Sequence, residues 1–274
     1  MTGPNEPIAS RRREEPSFAR SLQLQLSVWW ALAMREALTR FGRHNVGFLW
    51  LFFEPMSFTI GITLVWTLLK MTHGSSIHIA SFALTGYSSI MLWRNPATRI
   101  SHSITVNMAL LYHRNVRALD IVIARILLEI AAISASFFGL AILFVFFEFC
   151  EPPEDIPLLV AGWSLLALFA TGLSLCIAAL TEKTELFDRI WHTITYLLFP
   201  FSGAGTLLDW LPPGARKALL YLPFAHGVEM IRHGYYGSSI RTHEDWQYLL
   251  YVSLVLVFVG IAAIESVARE VEPE

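Results

Sequence analysis

Histidines and carboxylates are the first residues to test for chemistry. His102, His113, His192 and His226 could be offered as metal ligands, but no two share ligand spacing on one helix, so hydrogen-bonded histidines are the ordinary reading and no metal site is expected. Glu54, His192 and Glu229 could act as acid or base in a membrane-embedded enzyme that modifies a lipid or glycan. Such a site needs clustered groups, and the sequence puts these three on separate elements. The chain holds no GxxxxGK(S/T) phosphate loop, not even one Gly-Lys pair, and no HExxH or CxxC. Covalent or nucleotide chemistry therefore has no foothold in the motifs.

Arginines and aromatic rings remain. Arg94 and Arg99 flank Pro96 in a segment read below as a membrane span, where charge is costly; a water-filled passage and simple snorkelling explain them equally well. Arg125 and Glu129 stand four apart on one helix face and are expected to neutralise each other, while Glu54 sits close enough to the end of its span to reach water. Trp50, Trp66, Tyr87, Trp93, Trp191, Tyr196, Phe199 and Phe201 could form stacking surfaces for sugar rings along a passage, although interfacial belts are the commoner use of such residues.

The elements that must position these groups are membrane helices. The 274 residues are 54% hydrophobic and only 15% charged, a balance that suits a bilayer better than water. Residues 130–147, 156–181 and 248–264 contain no Asp, Glu, Lys or Arg at all. Spans are expected near 48–69, 79–108, 121–147, 157–181, 190–201 and 246–265. Residues 1–20 read as a disordered arm rich in Pro, Arg and Glu. Residues 21–47 read as an amphipathic interfacial helix, with Leu22, Leu26, Trp29, Trp30, Ala33 and Ala37 on one stripe, while a second stripe of Leu24, Val28 and Leu32 suits packing on the bundle equally well. Residues 48–274 form the six-helix transmembrane domain. The fold class is all-α integral membrane protein, and no cleaved signal peptide is expected.

Fifteen of the twenty Lys and Arg residues fall in the arm and the helix after it, the 94–125 region, the 182–189 loop and the tail, which puts both termini in the cytoplasm by the positive-inside rule. The acidic 148–155 loop faces outward on the same reading. Residues 201–245 are interrupted by Gly203, Gly205, Pro212, Pro213, Gly214 and Pro223, leaving apolar stretches too short to span, so short re-entrant helices are expected there. Backbone of that kind at membrane depth must be shielded by protein or line a watery cavity. LLYHRNVRALD, residues 110–120, mixes apolar and cationic residues over about three turns and suits either a short docking helix or an ordinary positive-inside loop. Net charge of −2 argues nothing for nucleic acid, since the arginines follow topology and form no single basic stripe, and no such partner is expected; Cys150 and Cys176 sit at opposite ends of adjacent spans, too far apart to bridge.

REALTRFGRHNVGFLWLFFEP, residues 35–55, resembles the amino-terminal signature of ABC-2 type permeases that export bacterial polysaccharides, in particular the capsule polysaccharide export inner-membrane group. LLYHRNVRALDIVIARILLE, residues 110–129, and FSGAGTLLDWLPPGARKALLYLPFAHGVEMIRHGYYG, residues 201–237, look like the same family's coupling helix and re-entrant region. The HGYYG run matches only in general character, so no substrate role rests on it.

The resemblance implies a homodimer of six-helix permeases served by two copies of a cytoplasmic ABC ATPase subunit, which would bind ATP and Mg, leaving this chain without a cofactor. It implies a coupling helix carrying Leu111, Tyr112, His113, Arg114, Asn115, Val116, Arg117 and Asp120, and a re-entrant region carrying Glu229, Arg232 and His233. The cargo would be a lipid-linked capsular polysaccharide passing a channel bordered by Trp66, Tyr87, Trp93, Arg94, Arg99, Tyr196, Phe199 and Phe201. The setting would be the bacterial inner membrane, with periplasmic and outer-membrane capsule export proteins as further partners. Competing expectations are a permease for O-antigen or teichoic acid, a passive channel, and the lipid- or glycan-modifying enzyme.

Overall fold

The computed structural model describes residues 18–41, 45–69, 77–111 and 116–271. The arm over 1–17 and Tyr112, His113, Arg114 and Asn115 lie outside the described residues. Among those described there is no strand, and the helices follow in the order α1 Phe18–Phe41, α2 Asn45–Leu68, α3 Ile79–Arg99, α4 Met108–Leu111, α5 Ala118–Phe146, α6 Ile156–Lys183, α7 Glu185–Leu198, α8 Pro213–Leu219, α9 Pro223–Tyr236 and α10 Trp246–Val271. Single 3-10 turns occur at Thr105–Asn107, Phe199–Ser202, Leu208–Trp210 and Gly237–Ser239.

The helix ends follow local chemistry. Asp155 caps α6 by accepting from the Leu158 N–H at 2.9 Å, and Pro157 in the first turn has no N–H to satisfy. Pro213 and Pro223 open α8 and α9 in the same way. The Asp120 carboxylate accepts from the Arg117 N–H at 3.0 Å at the start of α5. Thr184 is extended, which separates α6 from α7.

Among the described residues, four helices are long and apolar enough to cross a membrane: Leu49–Leu68, Ala118–Phe146, Ile156–Lys183 and Trp246–Glu270. Their outward faces carry exposed apolar side chains such as Ile142, Phe146, Tyr251, Val255 and Phe258, which only a hydrocarbon solvent accommodates over so large a continuous surface. α3 differs. Its residues from Ala80 to Ile90 are all buried although Ser81, Thr85, Ser88 and Ser89 are polar, because it lies among α2, α5, α6, α7 and α9. Thr85 and Ser81 donate to carbonyls three or four residues back, so their hydroxyls need no outside partner. α7, with 14 residues, is about 21 Å long at 1.5 Å per residue.

α6 is the hub, contacting α3, α5, α7, α9 and α10. It crosses α10 closely through a glycine on each side. A Cβ on Gly172 would come within 2.8 Å of the Val257 nitrogen, and one on Gly260 within 2.5 Å of the Leu175 Cβ, the small-residue approach that lets membrane helices gain van der Waals contact. One aromatic core joins Trp93, Phe137, Trp163, Phe169 and Phe224 near the α5–α6 end of the bundle, and a second gathers Ile100, Ile104, Val122, Ile126, Trp191 and Ile264 at the other end.

Two expectations are corrected. The segment 79–108 is not one helix: α3 ends at Arg99, and residues 100–104 turn back through His102 at φ 54° before the 3-10 turn begins. The run Ser101, His102, Ser103 offers side-chain and turn hydrogen bonds in place of helix ones, which overrides the apolar pattern. Arg125 and Glu129 do not serve mainly one another: Arg125 Nε pairs with Glu36 of α1 at 2.9 Å and Glu129 with Arg99 of α3 at 3.4 Å. Residues four apart lean over the same face, but that face is covered by other helices, and charges from α1 and α3 reach it.

Candidate functional site

A cavity of about 390 Å³ opens between α2, α3 and the residues following α7. α2 supplies Glu54, Pro55, Ser57 and Phe58. α3 supplies Tyr87, Ile90, Met91, Arg94, Asn95 and Arg99, and Phe199 closes the remaining side. At 100° per residue Tyr87, Met91 and Arg94 share one stripe of α3, which is why a helix with a largely buried circumference presents a cation and two ring or thioether groups to one opening.

Arg99 is held between two carboxylates, Glu54 of α2 and Glu129 of α5. Arg94 instead lays its guanidinium over the Tyr196 ring of α7 at 4.8 Å from the centroid, a cation–π contact. Tyr87 is the centre of an aromatic group, with ring centroids 5.8 Å from Phe58, 5.5 Å from Trp66 and 5.8 Å from Phe199. The opening thus combines flat apolar rings, which stack on sugar faces, with hydrogen-bonding groups on Ser57, Asn95 and the arginines.

Of the rings and arginines expected to border a channel, Tyr87, Arg94, Arg99 and Phe199 line this cavity, Tyr196 joins it through Arg94, and Trp66 backs it through Tyr87. Trp93 and Phe201 do not. Trp93 is fully buried and stacked on Phe224 at 4.6 Å with 12° between planes, and Phe201 is 52% exposed elsewhere. Sequence reading missed Ser57, Phe58 and Asn95 as lining residues, and gave Glu54 no part in the passage. The spacing of Glu54, Ser57 and Phe58 on one helical face was the available signal.

The 201–245 region forms a second polar cluster. Arg232 is fully buried; it donates to the Thr206 and Ala204 carbonyls at 2.8 and 2.9 Å, and its guanidinium lies 4.3 Å from the Phe82 ring centroid. Gly86 permits this, since a Cβ there would stand 2.5 Å from the Ala204 oxygen. Glu229, also buried, accepts from the His243 N–H at 3.2 Å, and His233 pairs with Glu244. His226 Nδ1 accepts from the Asp245 N–H at 2.9 Å, so its proton sits on Nε2, which donates to the Leu220 carbonyl at 2.8 Å. Burial alone would push the Glu244 carboxyl up, but hydrogen bonds from Thr242 and His233 and the His233 charge hold it below the ordinary carboxylate range. These residues organise a loop; Glu54 beside Arg99, His192 beside Asp188 and Glu229 beside His243 occupy three separate clusters and share no pocket.

In the segment between α3 and α5, Leu111 ends α4, and Val116 and Arg117 lead into α5. Asp120 is buried, and besides the Arg117 N–H it accepts from Trp29 Nε1 at 2.9 Å and from Gln25, which fastens α1 to the start of α5.

A helical bundle with four membrane-length apolar helices among the described residues, an interior polar helix and a charged, ring-lined cavity defines a multi-pass membrane protein. The sequence matches the ABC-2 type transporter family over residues 27–236, and the chain belongs to that family. It is 42% identical over 258 residues to the capsule polysaccharide export inner-membrane protein CtrC of Neisseria meningitidis serogroup B, covering 94% of this chain and 97% of that one. It is 38% identical over 261 residues to the capsule polysaccharide export inner-membrane protein BexB of Haemophilus influenzae, covering 95% and 98%. The polysialic acid transport protein KpsM of Escherichia coli is 27% identical over 234 residues, covering 85% and 90%. The chain is accordingly a transport permease subunit rather than an enzyme.

Proposed function

We propose that this chain is the membrane subunit of an ATP-driven exporter that moves a lipid-linked capsular polysaccharide across the bacterial inner membrane. The observation that carries the reading is the cavity lined by Tyr87, Phe58 and Phe199 together with Arg94, Asn95 and Ser57, in a chain of which 94–95% aligns with capsule export inner-membrane proteins. A long glycan needs stacking surfaces and exchangeable hydrogen bonds along a wide route, and this lining offers both.

The working unit is a homodimer, with two copies of a cytoplasmic ATPase binding ATP and Mg against residues 110–120, and periplasmic and outer-membrane partners receiving the polymer. Six spans follow when α3, sheathed by its neighbours, and α7, extended by the turn at Phe199–Ser202, are added to the four apolar helices. Both termini are then cytoplasmic. The short helices α8 and α9, of which α9 packs on α6 and is tied through Arg232 to the Ala204 and Thr206 carbonyls, act as the re-entrant elements.

Deletion of the gene in its host, with a plasmid copy as control, tests the function. Loss of surface capsule with polymer accumulating inside, reversed by the plasmid, is the expected result. Unchanged capsule overturns it, and loss of a different surface polymer would turn the reading to O-antigen or teichoic acid.

A further inference from the structure

The last turn of α6 reaches across to the segment that follows α3. Glu182 Oε1 accepts from the Ile104 N–H at 2.7 Å and the Thr105 N–H at 3.3 Å, and its Oε2 accepts from the Thr105 hydroxyl at 2.6 Å. These are the first donors of the 3-10 turn Thr105–Asn107, which no local side chain caps. The turn needs the help. His102 just before it sits at φ 54°, a conformation that costs a non-glycine residue about 1 kcal/mol, and only the surrounding bonds hold it there. Asn107 is fixed in turn, bonding the Ser103 carbonyl at 2.9 Å and accepting from Arg35 of α1 at 3.1 Å.

The fastened turn runs directly through α4 into the residues proposed above to meet the ATPase. On the other flank Asp120 anchors to Trp29 and Gln25 of α1. The segment therefore has a fixed grip on α1 at both flanks and, through one carboxylate, a grip on α6. α6 is the helix that touches α3, which lines the cavity, and α9 and α10. A short, charge-assisted, three-bond link between backbone and carboxylate transmits displacement better than apolar contact, which slides.

We propose that Glu182 is the positioning residue through which movement of the 104–111 segment is passed to α6, and so to the passage. The inference rests on reading residues 110–120 as the ATPase-facing segment.

The test compares Glu182→Ala and Glu182→Gln in the intact complex, measuring ATPase copurification, ATP hydrolysis, surface polymer, and amide exchange of peptides covering residues 104–105. In Glu182→Ala the ATPase is expected to copurify at the parent level and to hydrolyse ATP, while exchange quickens and polymer exported per ATP falls about tenfold, within the usual range of coupling between sites. Glu182→Gln is expected to restore most export, because its amide oxygen accepts from both N–H groups and its NH2 reaches the Thr105 hydroxyl. Parent-level export per ATP by Glu182→Ala overturns the proposal. Loss of the ATPase along with export also overturns it, since the carboxylate would then only shape the docking surface. If Glu182→Ala fails to accumulate, Thr105→Val removes one bond alone; export per ATP falling two- to threefold upholds the role, and an unchanged ratio overturns it. The docking reading is tested apart from this by Arg114→Glu with Arg117→Glu: unchanged ATPase copurification refutes that reading, whatever Glu182 does.

Discussion

Replacing Arg232 by Met should loosen the loop beside the cavity more than any exposed change nearby. The side chain is completely buried, and two of its nitrogens donate to backbone carbonyls, at 2.8 Å to Thr206 and 2.9 Å to Ala204. Hydrogen bonds from a charged donor contribute about 1.5–3 kcal/mol each, and the Phe82 ring at 4.3 Å adds about 1–2 kcal/mol in a desolvated site. Against this, methionine fills similar volume and spares the cost of burying a cation. Glu229, whose charge acts on Arg232, would be left behind. A net loss of about 3–5 kcal/mol results, equivalent to a fall of roughly 10 °C in the thermal midpoint for a chain of this size. The assay is retention of monodisperse protein in detergent after heating, followed by size-exclusion fluorescence. Arg232→Lys, which keeps the charge but reaches one carbonyl at a time, should lose about half as much, and Arg232→Met combined with Glu229→Gln should recover part of the loss. A midpoint within about 2 °C of the parent would refute the reasoning, and loss of export at parent stability would make Arg232 a substrate contact and not a pin.

Four further outcomes are expected. Arg99→Ala withdraws the cation from between Glu54 and Glu129 and should cost about 3 kcal/mol; Arg99→Ala with Glu54→Ala should cost less than Arg99→Ala alone, as a double-mutant cycle in the same heating assay will show. Gly172→Val drives a side chain into Leu256 and Val257 of α10 and should destabilise by about 1–3 kcal/mol, whereas Gly139→Ala, with open space around its Cβ, should leave the midpoint unchanged. Because the Glu244 carboxyl is held below its ordinary value of 4.5, its contribution is fully present above that pH and is lost as pH falls below it, so Glu244→Gln should narrow the midpoint difference between pH 7 and pH 4. Arg94→Gln should reduce surface polymer about tenfold with no loss of membrane protein on immunoblots, since its partner is the Tyr196 ring and no carboxylate.

Much of the fold could be read because lipid imposes a simple rule. The uncharged windows 130–147 and 156–181 led to spans expected at 121–147 and 157–181, which are α5 and α6 within a few residues. A helix was also expected where α3 lies, but its end was not placed. Ile100, Ile104 and Val106 extend an apolar pattern beyond Arg99, and hydropathy cannot register that Ser101, His102 and Ser103 have competing partners or that Glu182, far along the chain, captures the Ile104 and Thr105 amides. The glycine crossing of α6 and α10 was equally silent, since nothing in the sequence says which of its 16 glycines faces another helix.

The site divides along the same line. Arg94 and Arg99 stood out through the cost of charge in a span, and Tyr87 lies at a spacing of seven from Arg94, which returns to the same face of a helix. Trp93 lies about 100° round from Arg94 and packs on Phe224, so helical periodicity, applied to the aromatic residues one by one, would have removed it from the lining. The pairing of charges could not be reached in that way. Arg125 and Glu129 satisfy the local rule for an ion pair, yet Glu36 and Arg99 reach them from other helices, and a sequence fixes spacing within a helix but not which neighbour arrives at its surface. The consequence is functional. Arg99 is engaged by two carboxylates whereas Arg94 leans on a neutral ring, so two arginines that look equivalent in the sequence differ in the structure, and under the export function proposed above Arg94 is the one whose charge would meet the polymer.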